Sequence, residues 1–159
     1  MEDLKHMLVV DDEKTMRDLL AEYLKENGYQ VTCAANGRDA LQIYKQGHFD
    51  IVLSDLFMEP MDGLELLSQI KEINPHALFI MITGHPSIQS SIEVMKKGAR
   101  DYITKPFHID EIKVKIERAL LEQNLQERLK NTRGMVLALL ISIPVWLVIG
   151  FILAKVLLA

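Results

Sequence analysis

Ile51-Val52-Leu53-Ser54-Asp55 is the stretch that decides the fold. A short, mostly apolar run that ends on an acidic residue suits a strand buried on both faces of a parallel sheet. Open α/β sheets bind ligands beyond the carboxyl ends of their strands. Asp55 is therefore expected at the edge of the sheet, half out of the core and available for chemistry.

Working outward, the flanking sequence repeats this pattern. Met7-Leu8-Val9-Val10, closed by Asp11-Asp12-Glu13, predicts a first strand. Met16, Leu19, Leu20, Tyr23 and Leu24 then recur at helical spacing, with Gly28 placed to end that helix. Residues 29–34 alternate as a second strand. Asn36 can cap a second helix with Ala40, Leu41 and Tyr44 inward and Gly47 as its stop. Residues 49–54 form the third strand, and Asp62 caps a helix with Leu66, Leu67, Ile70 and Ile73 inward, ended by Asn74-Pro75. Residues 78–82 are a continuous apolar fourth strand closing on Thr83-Gly84. A helix from near Pro86 carries Ile88, Ile92 and Met95 and stops at Gly98. Tyr102-Ile103 is a brief fifth strand, followed by Thr104-Lys105-Pro106-Phe107 and a helix from Asp110 with Ile112, Ile116, Ala119 and Leu120 on one side. Strands alternating with helices in this way imply a doubly wound parallel α/β sheet.

Composition narrows the function. The 159 residues carry a net charge of -4 with no basic block, which argues against nucleic acid as a partner. The single Cys33 excludes an internal disulfide and a cysteine-built metal site, and the five histidines show no ligand spacing. The start, MEDLKHM, is not a signal peptide, so the first domain is expected in the cytoplasm.

Beyond the fifth helix, residues 122–134 are rich in Glu, Gln, Lys, Arg and Leu, with Leu125 and Leu129 continuing a four-residue recurrence from Leu121. They predict a helical stalk, either a single solvated helix or a pairing surface for a homodimer; about two heptads fall short of the three or four that argue a coiled coil. Residues 135–154, MVLALLISIPVWLVIGFILA, contain no charge. As a helix they would span about 30 Å, the hydrocarbon thickness of a bilayer. A transmembrane helix over 135–157 is therefore expected. Arg128, Lys130 and Arg133 before it, against Lys155 after it, orient a single-pass protein of the inner membrane with its first domain in the cytoplasm.

Several strand ends bring groups to one edge: Asp11 and Asp12, Asp55, Thr83 and Lys105. Clustered carboxylates shift their pKa values or hold a cation. Carboxylates with open positions suit Mg²⁺, and a hydroxyl with an ammonium suits the remaining oxygens of a phosphoryl group. The residues alone thus point to a Mg²⁺-dependent phosphoryl-transfer or phosphate-binding site. No nucleophile–base pair separate from Asp55 is present, so an enzyme is not expected.

In order and spacing, Val9-Val10-Asp11-Asp12-Glu13, Leu53-Ser54-Asp55, Met61-Asp62-Gly63, Ile82-Thr83-Gly84 and Lys105-Pro106-Phe107 resemble the receiver domain of bacterial two-component response regulators. The resemblance covers residues 5–121. It implies a flavodoxin-like five-stranded sheet of order 2-1-3-4-5. It implies Asp55 as phosphoacceptor from a histidine kinase, and Mg²⁺ held by Asp12, Asp55 and the backbone carbonyl of Phe57, with Asp11 helping through water. Lys105 would pair with the phosphoryl oxygens, its bond to Pro106 being cis, and Thr83 and Tyr102 would move as a switch. Phe57 and His85 fall where the family tunes loss of the phosphoryl group. Met58-Glu59-Pro60 departs from the family's Met-Pro, with the proline one place later. The expected function is a membrane-anchored receiver in a phosphorelay. It would signal to a downstream protein, not identified by the sequence, through contacts of the fourth helix, fifth strand and fifth helix. The alternatives are a non-switching scaffold and a phosphate sink.

Overall fold

Five strands and five helices alternate along the described chain: β1 (His6–Val10), α1 (Lys14–Glu26), β2 (Gln30–Ala34), α2 (Gly37–Gln46), β3 (Ile51–Asp55), α3 (Gly63–Ile73), β4 (Leu78–Thr83), α4 (Ile88–Lys96), β5 (Asp101–Thr104) and α5 (Ile109–Leu157). The computed structural model describes the backbone of residues 4–157; side chains at 130, 131, 134, 135, 137, 140, 141 and from 143 onward lie outside the described residues. The strands pair in parallel in the order β2-β1-β3-β4-β5, as expected.

Side-chain alternation builds two cores, one on each face of the sheet. Leu8, Val10, Val52, Phe79 and Met81 pack against Ala40 and Tyr44 of α2, Leu66, Leu67 and Ile70 of α3 and Val94 of α4. Their chain neighbours Met7, Val9, Ile51, Leu53, Ile80 and Ile82 face the other way, onto Leu20 and Leu24 of α1 and Ile112, Ile116 and Ala119 of α5. Both faces of β1, β3 and β4 are covered, which is why these strands read as continuous apolar runs. Each fully buried large side chain stabilises the fold by about 1.5–3 kcal/mol.

Helix ends follow local chemistry. The side chains of Asn36 and Asp62 accept from the backbone N–H of Asp39 and Glu65, capping α2 and α3. Gly28, at φ 83°, takes the left-handed turn after α1 that a side chain would disfavour.

The structure corrects several sequence expectations. Leu19 and Ile73 are about half exposed, and in α4 the residue that reaches the core is Val94, while Ile88, Ile92 and Met95 face outward. Helical periodicity marks an apolar stripe without saying which stripe meets the sheet, and beside α4 the sheet ends in the four-residue edge strand β5.

Two compact units divide the chain, residues 1–120 and 121–159, and the expected stalk lies within α5. Leu121, Leu125 and Leu129 are exposed. Among the described residues no helix is long and apolar enough to cross a membrane. The transmembrane helix expected over 135–157 is thus not found: the described side chains of α5 bear charges through Arg133, and most of those after it lie outside the described residues.

Candidate functional site

Parallel pairing collects the strand ends at one edge. Val10 lies beside Ser54, Asp55 beside Ile82, and Thr83 beside Thr104. Asp11, Asp55, Thr83 and Lys105 therefore emerge together although up to 94 residues separate them in the chain. Asp11 and Thr83 are fully buried, Asp55 keeps 9% of its surface, and Asp12 is exposed.

One carboxylate oxygen from each of Asp11, Asp12 and Asp55 lies within 4.8 Å of the others. Lys105 Nζ bridges two of them, donating to Asp11 Oδ2 at 2.9 Å and to Asp55 Oδ2 at 3.2 Å. The second oxygens are held by backbone: Glu13 N–H donates to Asp11 Oδ1 at 2.9 Å, and Leu56 N–H to Asp55 Oδ1 at 2.8 Å. Three carboxylates against one ammonium leave two negative charges in a half-buried, all-oxygen pocket. That donor set fits a hard divalent cation, with Asp12 as its solvent-facing member.

Burial pushes the Asp55 carboxyl above the usual carboxylate range; the Lys105 charge opposes this and the Asp11 charge adds to it. For Lys105 burial alone would lower the ammonium, but hydrogen bonds and charge from Asp11 and Asp55 outweigh it and raise it. A raised ammonium contributes stability that is fully present below its unfolded value of 10.5 and is lost as pH rises through the folded value. Lys105→Met is expected to remove this alkaline limb from the stability–pH curve. At neutral pH it should cost about 2 kcal/mol in EDTA, less than breaking a fully buried pair because Lys105 keeps some exposure. Urea unfolding across pH checks both.

Thr83 and Tyr102, expected from the sequence to move as a switch, have partners of their own. Thr83 Oγ1 accepts from His85 N–H at 3.2 Å. The Tyr102 hydroxyl lies 3.1 Å from Ser90 Oγ, within the Ser87–Ser90 capping box of α4. The Lys105–Pro106 peptide is cis, and so is Glu59–Pro60, in the loop where the proline is displaced. The Phe57 side chain is exposed and meets His85 edge-on, ring centres 5.7 Å apart. Phe57, Glu59, Asp62 and Glu65 line an open cleft beside Asp12.

This geometry is that of a known family. A family model described as the response regulator receiver domain matches residues 7–117. The chain belongs to that family. Among relatives of this receiver domain is the regulatory protein AtoC of Escherichia coli, 32% identical over 82% of this chain and 28% of its own length. Another is the transcriptional regulatory protein ZraR of Klebsiella oxytoca, 37% identical over 76% of this chain and 27% of its own. The chain thus spans about a quarter of the length of these relatives. A CheY-like receiver domain from Methanospirillum hungatei has a TM-score of 0.76 at 32% identity, covering 78% of this chain and 99% of that one. The beryllofluoride-activated NtrC4 receiver domain dimer has a TM-score of 0.72 at 34% identity, covering 76% and 99%. The inner-membrane location expected from the sequence is overturned: the relatives are named as regulatory proteins, and no helix among the described residues can cross a bilayer.

The residues expected at the receiver's acidic edge lie there: Asp11, Asp12 and Asp55 each bring an oxygen within 4.8 Å of the others, Lys105 pairs with Asp11 and Asp55, and Thr83 is at the adjoining strand end. Phe57 lines the neighbouring cleft, while Tyr102 is engaged with α4 instead. Sequence reasoning missed Arg17, whose guanidinium reaches back to the Asp11 carbonyl, and Ser90, the partner of Tyr102. Their partners are a backbone carbonyl and a hydroxyl 12 residues along the chain, contacts that carry no sequence signal.

Proposed function

We propose that this receiver accepts a phosphoryl group on Asp55 from the phosphohistidine of a histidine kinase and passes the change on through protein contacts. The observation that carries the reading is Asp55 itself: a carboxylate at a strand end, with one oxygen on Lys105, at the rim of a three-carboxylate pocket. An Asp55 oxygen attacks phosphorus, the P–N bond breaks, an acyl phosphate forms, and the departing imidazole nitrogen takes up a proton. Mg²⁺ bound by Asp12, Asp55 and the Phe57 carbonyl, with Asp11 assisting, would neutralise charge on the transferring group. Lys105 is placed to follow the phosphoryl oxygens as it now follows Asp55. The protein takes the phosphoryl group covalently and is not itself a hydrolase.

Transmission would use Thr83 and Tyr102. With the Thr83 hydroxyl drawn to the phosphoryl group, Tyr102 moves into the space released and gives up Ser90 Oγ, linking the charge change to the start of α4. The exposed Ile88, Ile92 and Met95 of α4 are available to a downstream protein or to a second copy.

The test is incubation of the chain with acetyl phosphate, with Mg²⁺ or with EDTA. A hydroxylamine-labile label that needs Mg²⁺ and maps to the peptide containing Asp55 is the expected result. Label on another residue, or label indifferent to EDTA, would overturn the assignment. A labelled chain with unchanged self-association and partner binding would instead point to a phosphate sink.

A further inference from the structure

We infer that Arg17 is a positioning residue that shapes the acidic pair for its divalent cation. Asp12 lies in the short turn between β1 and α1, and the helix does little to hold that turn. Its N-cap, Glu13, makes no side-chain capping hydrogen bond, and the first turn holds no acidic residue. The turn is fixed by other contacts. Asp11 N–H donates to the Ala34 carbonyl at 3.3 Å, Glu13 N–H donates to Asp11 Oδ1, and Arg17 Nη1 donates to the Asp11 carbonyl at 2.5 Å and reaches toward the Asp12 carbonyl at 3.5 Å. Arg17 is itself half-buried and anchored in α1 through its backbone bond to the Glu13 carbonyl. Its Nη1 thus holds the carbonyl of the peptide that joins the two aspartates and reaches toward the carbonyl of the next peptide, and so sets where the Asp12 carboxylate stands relative to Asp11 and Asp55.

This role runs against simple electrostatics. A cation close to a divalent metal site weakens binding by charge repulsion, so removing it should tighten the metal. Removing a positioning contact should loosen the metal, as loss of an outer partner of a metal ligand does by roughly ten- to hundredfold. The two accounts predict opposite signs.

The inference rests on the Mg²⁺ site proposed above, and the experiment separates the two. Mg²⁺ is titrated into the full chain by calorimetry, and Tm is measured in EDTA and at saturating Mg²⁺, for wild type, Arg17→Met, Arg17→Lys, Lys14→Met and Asp12→Asn. Arg17→Met is expected to raise the Mg²⁺ Kd roughly tenfold and shrink the Mg²⁺-induced rise in Tm. Arg17→Lys, with the charge but not the planar fork, should fall between. Lys14→Met removes a cation from the same helix end without touching the turn and should leave Kd unchanged or slightly tighter. A residue that only stabilised the fold would lower Tm in EDTA and leave Kd alone. Unchanged or tighter Mg²⁺ binding by Arg17→Met overturns the inference; if that variant does not fold, wild-type affinity in Arg17→Lys overturns it instead. Failure of wild type to bind Mg²⁺, or equal binding by Asp12→Asn, removes the site itself and the inference with it.

Discussion

An Asp55→Asn chain should take no phosphoryl group from acetyl phosphate, yet unfold at a higher temperature than wild type in EDTA. The first effect is loss of the nucleophile: an amide oxygen at this position cannot form the acyl phosphate, and the neighbouring Asp11 is fully buried with its oxygens already engaged by Glu13 N–H and Lys105. Label should fall to background. The second effect follows from the electrostatics of the pocket. Burial, with Asp11 opposite, raises the Asp55 carboxyl above its unfolded value of 3.8. A carboxyl raised in the folded state adds stability below the unfolded value, and that contribution is lost as pH rises through the folded one. At neutral pH the ionised Asp55 therefore works against folding, and its replacement by a neutral isostere should gain of order 1 kcal/mol. The gain should shrink as pH falls toward 3.8, because the folded wild type takes up its proton before the unfolded chain does. Thermal unfolding of both chains from acid to neutral pH measures this; a less stable Asn variant at neutral pH would contradict the charge reading of the pocket.

Gly63→Ala should damage both the fold and the site. Gly63 opens α3, and its N–H donates to the Leu56 carbonyl at 2.9 Å. A methyl group there would press into the Asp55 carbonyl oxygen and lie 2.8 Å from Met81 Sδ and 3.0 Å from Leu56 Cα. Two of these three neighbours are backbone of the strand that carries Asp55 and its extension, so relief requires α3 or the end of β3 to move. The expected cost is about 3 kcal/mol, the upper end for overpacking. Labelling of the surviving folded fraction should slow because Asp55 is displaced. Gly84→Ala is the matched control: its nearest neighbour would be Lys105 Cδ at 4.0 Å, ordinary contact. Urea unfolding within ~0.5 kcal/mol of wild type for Gly63→Ala would show that α3 can shift freely.

Much of this molecule is legible in its sequence, and the gaps have identifiable causes. Uninterrupted apolar runs such as 78–82 can be satisfied only by a strand covered on both sides, and three such runs ending in polar groups mark the edge where the carboxylates and Thr83 gather. Asn36 and Asp62 announce their helices because capping is a local event between residues three apart. Ile88, Ile92 and Met95 mislead because periodicity is blind to which side the sheet lies on. Arg17 and Ser90 escape notice because their contacts are made with a carbonyl and with a hydroxyl 12 residues away, neither of which leaves a pattern in composition. The apolar segment 135–154, whose hydropathy points to a bilayer, falls mostly on side chains outside the described residues, and among the described residues no helix is long and apolar enough to cross a membrane.

The long reach of Lys105 has a consequence for how the protein is made. Asp11 and Asp55 wait 94 and 50 residues for the ammonium that joins them. A nascent chain halted before β5 would own every carboxylate of the pocket without the ammonium that bridges two of them. The bridge that joins the two carboxylates is therefore completed only when the residue following β5 has been added.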